Sequence, residues 1–70
     1  MKTTPETDRT LIYYINRARK CLRRGFQMPW QHYGIRNTVM QLARDMEVGY
    51  EELIDHIVHV AGDLNEEGNG

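Results

Sequence analysis

Residues 38–58, TVMQLARDMEVGYEELIDHIV, decide the fold of this chain. Apolar residues recur every three or four positions in each half of the stretch, which is the spacing of one face of an α-helix. Between the halves, Glu47, Val48 and Gly49 indicate a tight turn. We therefore predict helices at about 35–46 and 50–64. Their apolar faces consist of Ile35, Val39, Leu42, Ala43 and Met46 in one, and Tyr50, Leu53, Ile54, Ile57, Val58 and Ala61 in the other.

This helix pair resembles a helix-turn-helix motif. The packing positions that agree are Leu42, Ala43, Val48 and Leu53. The turn position usually held by glycine is Glu47, however, and a late packing position falls on His56. A helix that reads DNA needs cations against the phosphates, whereas the second helix offers Glu51, Glu52 and Asp55 and no Lys or Arg. We interpret the pair as an antiparallel helical hairpin with a helix-turn-helix-like pattern.

A further helix is predicted upstream, at about 5–24. Thr4 suits its N-cap, Pro5 its first position, and Gly25 the residue after its end. Its apolar face consists of Leu11, Tyr14, Ile15, Ala18, Cys21 and Leu22. Ile12 and Tyr13 fall off that face, so we expect them to expose apolar surface. The fold class predicted for the chain is all-α, a small three-helix domain.

The connection at 25–34, GFQMPWQHYG, is longer and more aromatic than a simple bundle needs. One interpretation is a lid, in which this aromatic loop closes the open end of the core. The other is an interface, since Trp, Tyr, Met and Phe are enriched at binding surfaces. We predict both, with Phe26 and Met28 filling the core and Trp30 and Tyr33 reaching outward. The predicted protein interface is Ile12, Tyr13, Trp30 and Tyr33.

Size limits what 70 residues can form. We predict one domain over residues 1–64 and a disordered tail over residues 65–70, with a core that is marginal for a solitary monomer. A single cysteine, Cys21, excludes an internal disulfide and favours a reducing, cytoplasmic setting. No apolar run approaches the roughly 20 residues of a membrane span, and residues 1–10 do not have the pattern of a secretory signal.

Charge is divided unevenly along the chain. Residues 1–44 hold all nine Lys and Arg against two acidic residues, a balance of +7, whereas residues 45–70 hold eight acidic residues and no Lys or Arg. Such asymmetry is typical of nucleic-acid binding by the basic half. It also suits neutralisation of one half by the other, within one chain or between two copies. We predict a homodimer or another protein partner, with nucleic acid as the second choice.

Nucleic acid would be contacted by the cations near the end of the first helix. These are Arg17, Arg19, Lys20, Arg23 and Arg24, with Trp30, His32 and Tyr33 available to stack on bases. Cations also accumulate at helix C-termini because they compensate the helix dipole. The cluster therefore fits either a phosphate-binding surface or an ordinary helix end.

No motif in the sequence identifies a reaction. His56 and His59 lie one helical turn apart, near Glu52, Asp55 and Asp63, but the set has no further ligand at a diagnostic spacing, so we interpret it as a solvated polar face. Cys21 lies on an apolar stripe, and no Gly-rich phosphate loop or Ser-centred elbow is present. We predict no enzyme activity, cofactor, metal or small-molecule substrate.

Residues 17–39, RARKCLRRGFQMPWQHYGIRNTV, are the most specific part of the chain. With the short length, helical content and split charge, they resemble the small accessory proteins encoded in the early regions of lambdoid phages. That resemblance implies a non-enzymatic protein of the bacterial cytoplasm that regulates host or phage development through contacts with other macromolecules. It implies no functional residue.

Overall fold

A computed structural model describes residues 1–25 and 27–68 of the protein. Three helices follow one another: α1 over Pro5–Arg24, α2 over Tyr33–Asp45 and α3 over Tyr50–Gly68. A single 3₁₀ turn, Pro29–Gln31, lies between α1 and α2. The described residues contain no strand, so the predicted all-α, three-helix fold is confirmed. None of the helices described is both long and apolar enough to traverse a lipid bilayer.

Helix α1 has the predicted bounds because both of its ends are capped. The Thr7 amide donates to Thr4 Oγ1 at 3.2 Å, and the Thr4 amide donates to Thr7 Oγ1 at 2.7 Å, a reciprocal capping box. At the other end Gly25 has a φ of 71°, and its N–H donates to the Cys21 carbonyl. Glycine adopts this left-handed conformation at little cost in free energy, which is why the helix ends there.

The helices run up, down and up. Lys2 N–H donates to the Met46 carbonyl at 2.7 Å near the start of α1 and α3, and Arg19 is bonded to Asn65 near their ends. Helices α1 and α3 therefore lie side by side and parallel. Helix α2 runs the opposite way, because the groove between α1 and α2 is lined by Glu6 and Asp45 at one end and by Thr10 and Thr38 further along.

One core joins the three helices and the 3₁₀ turn. Its largest fully buried side chains are Val39, Met46, Leu53 and Ile57. Among the described residues, every buried side-chain nitrogen or oxygen has a hydrogen-bond partner. The other buried apolar residues are Leu11, Tyr14, Ile15, Ala18, Trp30, Leu42, Ala43 and Ala61.

Two helix boundaries differ from the prediction. Helix α2 begins at Tyr33 rather than near residue 35, because His32 Nδ1 accepts from the Gly34 amide and caps the helix. Helix α3 continues to Gly68 rather than ending near residue 64. Asn65 holds this extra turn against α1, so residues 65–68 are helical instead of the predicted tail. Phe26 and residues 69–70, which belonged to the predicted core filling and tail, lie outside the described residues.

The turn between α2 and α3 closes through backbone hydrogen bonds. Val48 N–H donates to the Ala43 carbonyl at 3.0 Å, and Glu47 has a φ of 55°. Glu47 is thus the left-handed residue of the turn, at the position where a helix-turn-helix usually has glycine. The tight turn predicted from the sequence is present, with its unusual conformation on a glutamate.

Candidate interaction surface

Trp30 does not take the position predicted for it. Its exposed fraction is 6%, and it belongs to the core instead of reaching outward. Two local features turn it inward: Pro29 opens the 3₁₀ turn, and Arg36 Nε donates to the Trp30 carbonyl at 3.2 Å. The prediction that Trp30 reaches outward was wrong. In so small a core, burying its large ring stabilises the fold more than leaving it in contact with solvent would. The lid interpretation describes this residue.

The other three residues of the predicted interface are exposed. Ile12 is 56% exposed, Tyr13 52% and Tyr33 75%. Ile12 and Tyr13 lie in the middle of α1 and point about 100° apart around the helix. Tyr33 begins α2, at the end of the bundle where α1 stops. The surface is therefore distributed over α1 and one end of the bundle, without Trp30.

Tyr13 is already engaged by neighbours on its own helix. Arg17 donates to its hydroxyl at 3.1 Å and lies over its ring, 5.7 Å from the centroid. The rings of Tyr13 and Tyr14 form a T-shaped, edge-to-face contact, with their centroids 5.2 Å apart. The side chain of Ile12 is aliphatic and has no polar group that can hydrogen-bond to water. Its exposure is therefore less favourable than that of Tyr13.

The five cations of α1 that were predicted to contact nucleic acid do not form one group. Arg17 is held by Tyr13, and Arg19 Nε donates to Asn65 Oδ1 at 3.2 Å. Lys20, Arg23 and Arg24 are exposed. A shallow depression of about 260 Å³ is lined by Asn16, Arg19, Lys20 and Arg23. The predicted basic surface therefore consists of a cluster beside α3 and of cations on other sides of α1.

Helix α3 is acidic, but among the described residues its carboxylates form no ion pair with the Lys and Arg residues of α1. Within residues 1–25 and 27–68, no Lys or Arg nitrogen lies within 4.0 Å of an Asp or Glu oxygen; the ion-pair geometry present joins His59 Nε2 and Asp63 Oδ2 at 3.3 Å. Both of these side chains are exposed, and their attraction requires a protonated imidazole. Basic α1 and acidic α3 thus lie side by side without direct neutralisation.

Sequence reasoning missed three exposed apolar side chains. Leu22 is 39% exposed, Met40 41% and Met1 57%. Leu22 lies on the predicted apolar face of α1, but that face is longer than the part of the helix that the core covers. Helical periodicity gives the direction of a side chain and not how much of the neighbouring helix covers it.

Groups that bear on metal or thiol chemistry stay apart. In the part of the chain that the structure describes, no three His, Cys, Asp or Glu side chains come together as metal ligands would. Cys21 is half-buried on α1.

No protein-family model, curated protein or solved structure matches the chain.

Proposed function

We propose that this protein is a non-enzymatic regulatory module that binds a protein partner and associates with itself. The observation that carries the proposal is the separation of charge on adjacent helices. Helix α1 has six Lys or Arg and two acidic residues, and α3 has six acidic residues and no Lys or Arg. Because the two helices form no Lys or Arg ion pair with Asp or Glu within the described chain, both charged faces stay available to another protein.

Exposed apolar surface on the basic helix supports the same function. Ile12, Tyr13 and Tyr33 are each more than half exposed. Scattered apolar residues are normal on protein surfaces, but Tyr13 lies one helical turn from both Arg9 and Arg17, and aromatic and Arg side chains are enriched at binding surfaces. A small core also favours association, because a chain of this length buries only about 60% of its unfolded surface.

Sedimentation equilibrium tests this proposal. The average mass is expected to rise from one chain to two as protein concentration increases, and the rise should be weaker at high salt because exposed charges are screened. Circular dichroism at both salt concentrations controls for loss of helix. A mass of one chain throughout the concentration series would refute self-association.

A second candidate function is binding to DNA or RNA through the cations of α1. It is favoured by Lys20, Arg23 and Arg24, which are exposed and have no carboxylate within 4.0 Å among the described residues. Phosphate neutralisation releases counterions, so affinity for duplex DNA would fall steeply with salt. We place this function second, since acidic α3 lies beside α1 and would repel the phosphates. Steep salt dependence from a chain that stays monomeric would reverse that order.

The wider setting is part of the proposal. The resemblance to early-region proteins of lambdoid phages suggests a regulator in the bacterial cytoplasm. Binding of a host or phage protein would then be the regulatory event. Its direction depends on the partner and not on this surface alone.

A further inference from the structure

We infer that the depression on α1 lined by Asn16, Arg19, Lys20 and Arg23 binds a phosphate monoester, and we call it the phosphate site. A phosphate monoester has a charge of about −1.5 to −2 at pH 7 and three terminal oxygens that accept hydrogen bonds. This binding goes beyond the proposed protein contacts and does not depend on them, because one chain supplies all four residues.

The residues of the phosphate site share one face of α1. Counted from Asn16, the others follow three, four and seven positions later, the spacing at which helical side chains lie on the same side of the axis. They surround a depression of about 260 Å³, next to the contact between Arg19 and Asn65 of α3. Three of the four side chains are exposed and Arg19 is half-buried, so the depression is open to a ligand from solvent.

The three cations of the site are not neutralised within the described chain. Arg19, Lys20 and Arg23 have no carboxylate oxygen within 4.0 Å among the described residues. Arg23 lies four positions after Arg19 and three after Lys20, so these like charges repel one another along the helix. An anion bound among them relieves that repulsion, and an anion with two charges relieves it more than an anion with one.

Compensation of the helix dipole does not account for this cluster. The dipole acts on charges in the last turn of a helix, and α1 ends at Arg24, so Arg23 has that role. Arg19 and Lys20 stand about one turn earlier. Helix α2 shows the contrast, because its last turn has one cation, Arg44, and the two turns before it have none. The cluster on α1 therefore has more cations than its helix end requires.

Arg19 is oriented before any ligand binds. Its Nε donates to Asn65 Oδ1 at 3.2 Å, and Asn65 Nδ2 donates to the Arg19 carbonyl at 3.1 Å, so one amide of α3 holds both the guanidinium and the backbone. A guanidinium has five N–H donors, and the four on its terminal nitrogens have no partner among the described residues. Because its side chain is already held, Arg19 loses less conformational entropy on binding, and its planar fork matches two phosphate oxygens.

A phosphate monoester suits the site better than a nucleic-acid strand. A strand has one negative charge per phosphodiester, which leaves more of the three cations uncompensated than a monoester does. The phosphates of a strand that lie outside the site would also extend along a molecule whose helix α3 is acidic. The lining of the site belongs to α1 alone, so a single phosphate group is sufficient to fill it.

Two small probes test the charge that the site prefers. Methyl phosphate is a monoester and mainly a dianion at about pH 7.5, whereas dimethyl phosphate is a diester of similar size with one charge. In a nuclear magnetic resonance titration, methyl phosphate should shift the amide signals of residues 16–23 to saturation, and dimethyl phosphate should bind about fivefold more weakly. Equal affinities, or shifts that do not centre on these residues, would overturn the inference.

Arg44 supplies a matched control for the cations of the site. Lys20→Gln and Arg23→Gln should each weaken methyl phosphate binding about threefold, the effect of one exposed ion pair. Arg44→Gln removes the same charge from the last turn of α2, at the opposite end of the bundle. In about 0.15 M salt it should leave the affinity unchanged, because distant exposed charges are screened. Equal weakening by all three variants would mean that the anion responds to net charge and that no site exists.

A second pair of variants keeps the charge and tests the orientation of Arg19. Arg19→Lys retains the cation but loses both the fork and the Nε bond to Asn65, and it should weaken methyl phosphate binding about threefold. Lys20→Arg also retains the cation and should not weaken binding. Gln, Lys and Arg have similar helix propensities, so circular dichroism should show wild-type helix content for every variant. Full affinity in Arg19→Lys would contradict the role given to the oriented guanidinium.

Two further ligands identify the source of the phosphate. A peptide with one phosphoserine between glycines should bind at least as tightly as methyl phosphate if the monoester belongs to a phosphorylated protein, and more weakly if it belongs to a small molecule. A short DNA duplex that binds more tightly than both at physiological salt would reassign the site to nucleic acid. These measurements do not depend on the oligomeric state, so their failure leaves the proposed self-association standing, and a monomeric chain leaves the phosphate site standing.

Discussion

At the scale of single residues, Glu47 adopts a conformation that its side chain disfavours. Its φ of 55° lies in the left-handed region, where a residue with a Cβ costs roughly 1–2 kcal/mol more than in the right-handed region. The turn nevertheless requires this conformation, because Val48 must reach the Ala43 carbonyl to close α2. Gly49, the glycine nearest to it, does not have a positive φ. Glutamate is therefore not the residue that would make this turn most stable at position 47.

Glu47→Gly should stabilise the protein by about 0.5–1 kcal/mol, the relief of this conformation less the extra entropy of glycine in the unfolded chain. The measurement is the free energy of unfolding in urea. Gly25→Ala is the opposite control: Gly25 has a φ of 71° and no neighbour within 4 Å of a new Cβ, so it should lose about 1 kcal/mol for conformational reasons alone. Destabilisation by Glu47→Gly would show that the glutamate contributes an interaction that outweighs its backbone cost.

Trp30 is the residue at which burial and interface composition favoured different predictions. Because it is 6% exposed, its emission should be blue-shifted at every protein concentration and should not report association. Trp30→Ala is expected to lower the free energy of unfolding by about 3–5 kcal/mol, as for other large aromatic truncations in cores. In a domain this small, such a loss should appear in circular dichroism as reduced helix content at room temperature.

Tyr33→Ala is the matched control for Trp30, since Tyr33 is close in sequence and 75% exposed. It should change the free energy of unfolding by no more than about 0.5 kcal/mol. If Trp30→Ala kept full helix content and a wild-type melting temperature, the ring would not be a core residue, and its predicted role in the interface would have to be restored.

At the scale of elements, the last turn of α3 depends on one side chain. Asn65 makes two hydrogen bonds to Arg19, at 3.2 and 3.1 Å, and these are contacts between α1 and α3 that lie beyond the apolar core. The residues that follow are exposed, with Glu66 and Glu67 near the negative end of the helix dipole, where acids are unfavourable. Without Asn65, nothing described in this turn would hold it to α1.

Asn65→Ala should therefore fray the end of α3. Two hydrogen bonds at about 1 kcal/mol each, less the better helix propensity of alanine, give a loss of about 1 kcal/mol. Hydrogen exchange of the amides after residue 64 should accelerate more than that of the α3 core around Leu53. Glu67→Ala, an exposed change in the same turn, should not accelerate it; equal acceleration by both variants would mean that the turn is not anchored through Asn65.

The elements also show how far the sequence could be interpreted. Helix α1 was predicted with its observed bounds because Thr4, Pro5 and Gly25 are local signals whose effect does not depend on other parts of the fold. The end of α3 was missed because Asn65 is a weak local signal whose partner, Arg19, lies 46 residues away. Trp30 was misplaced for a related reason: its burial is decided by how α1 and α2 pack against the 3₁₀ turn, which lies outside what local sequence signals describe. The candidate surface was predicted in part, because Ile12, Tyr13 and Tyr33 are exposed as expected whereas Trp30 is buried.

At the scale of the whole molecule, stability and assembly should be linked. The core is small, and the outer faces of α1 and α3 have unpaired charges and an exposed Ile12. A second copy that covers these faces binds the folded chain and not the unfolded one. It therefore stabilises the fold by mass action.

The melting temperature should consequently rise with protein concentration once the dimer is populated. A tenfold increase in concentration is worth about 1.4 kcal/mol per dimer, which for a domain of this size corresponds to a rise of about 3–6 °C. Thermal melts followed by circular dichroism over a hundredfold range of concentration measure this slope. The slope should be smaller at high salt, because exposed charges that attract the two copies are then screened. A wild-type melting temperature that does not depend on concentration would mean that the folded chain is stable alone, and that its charged faces serve a different partner.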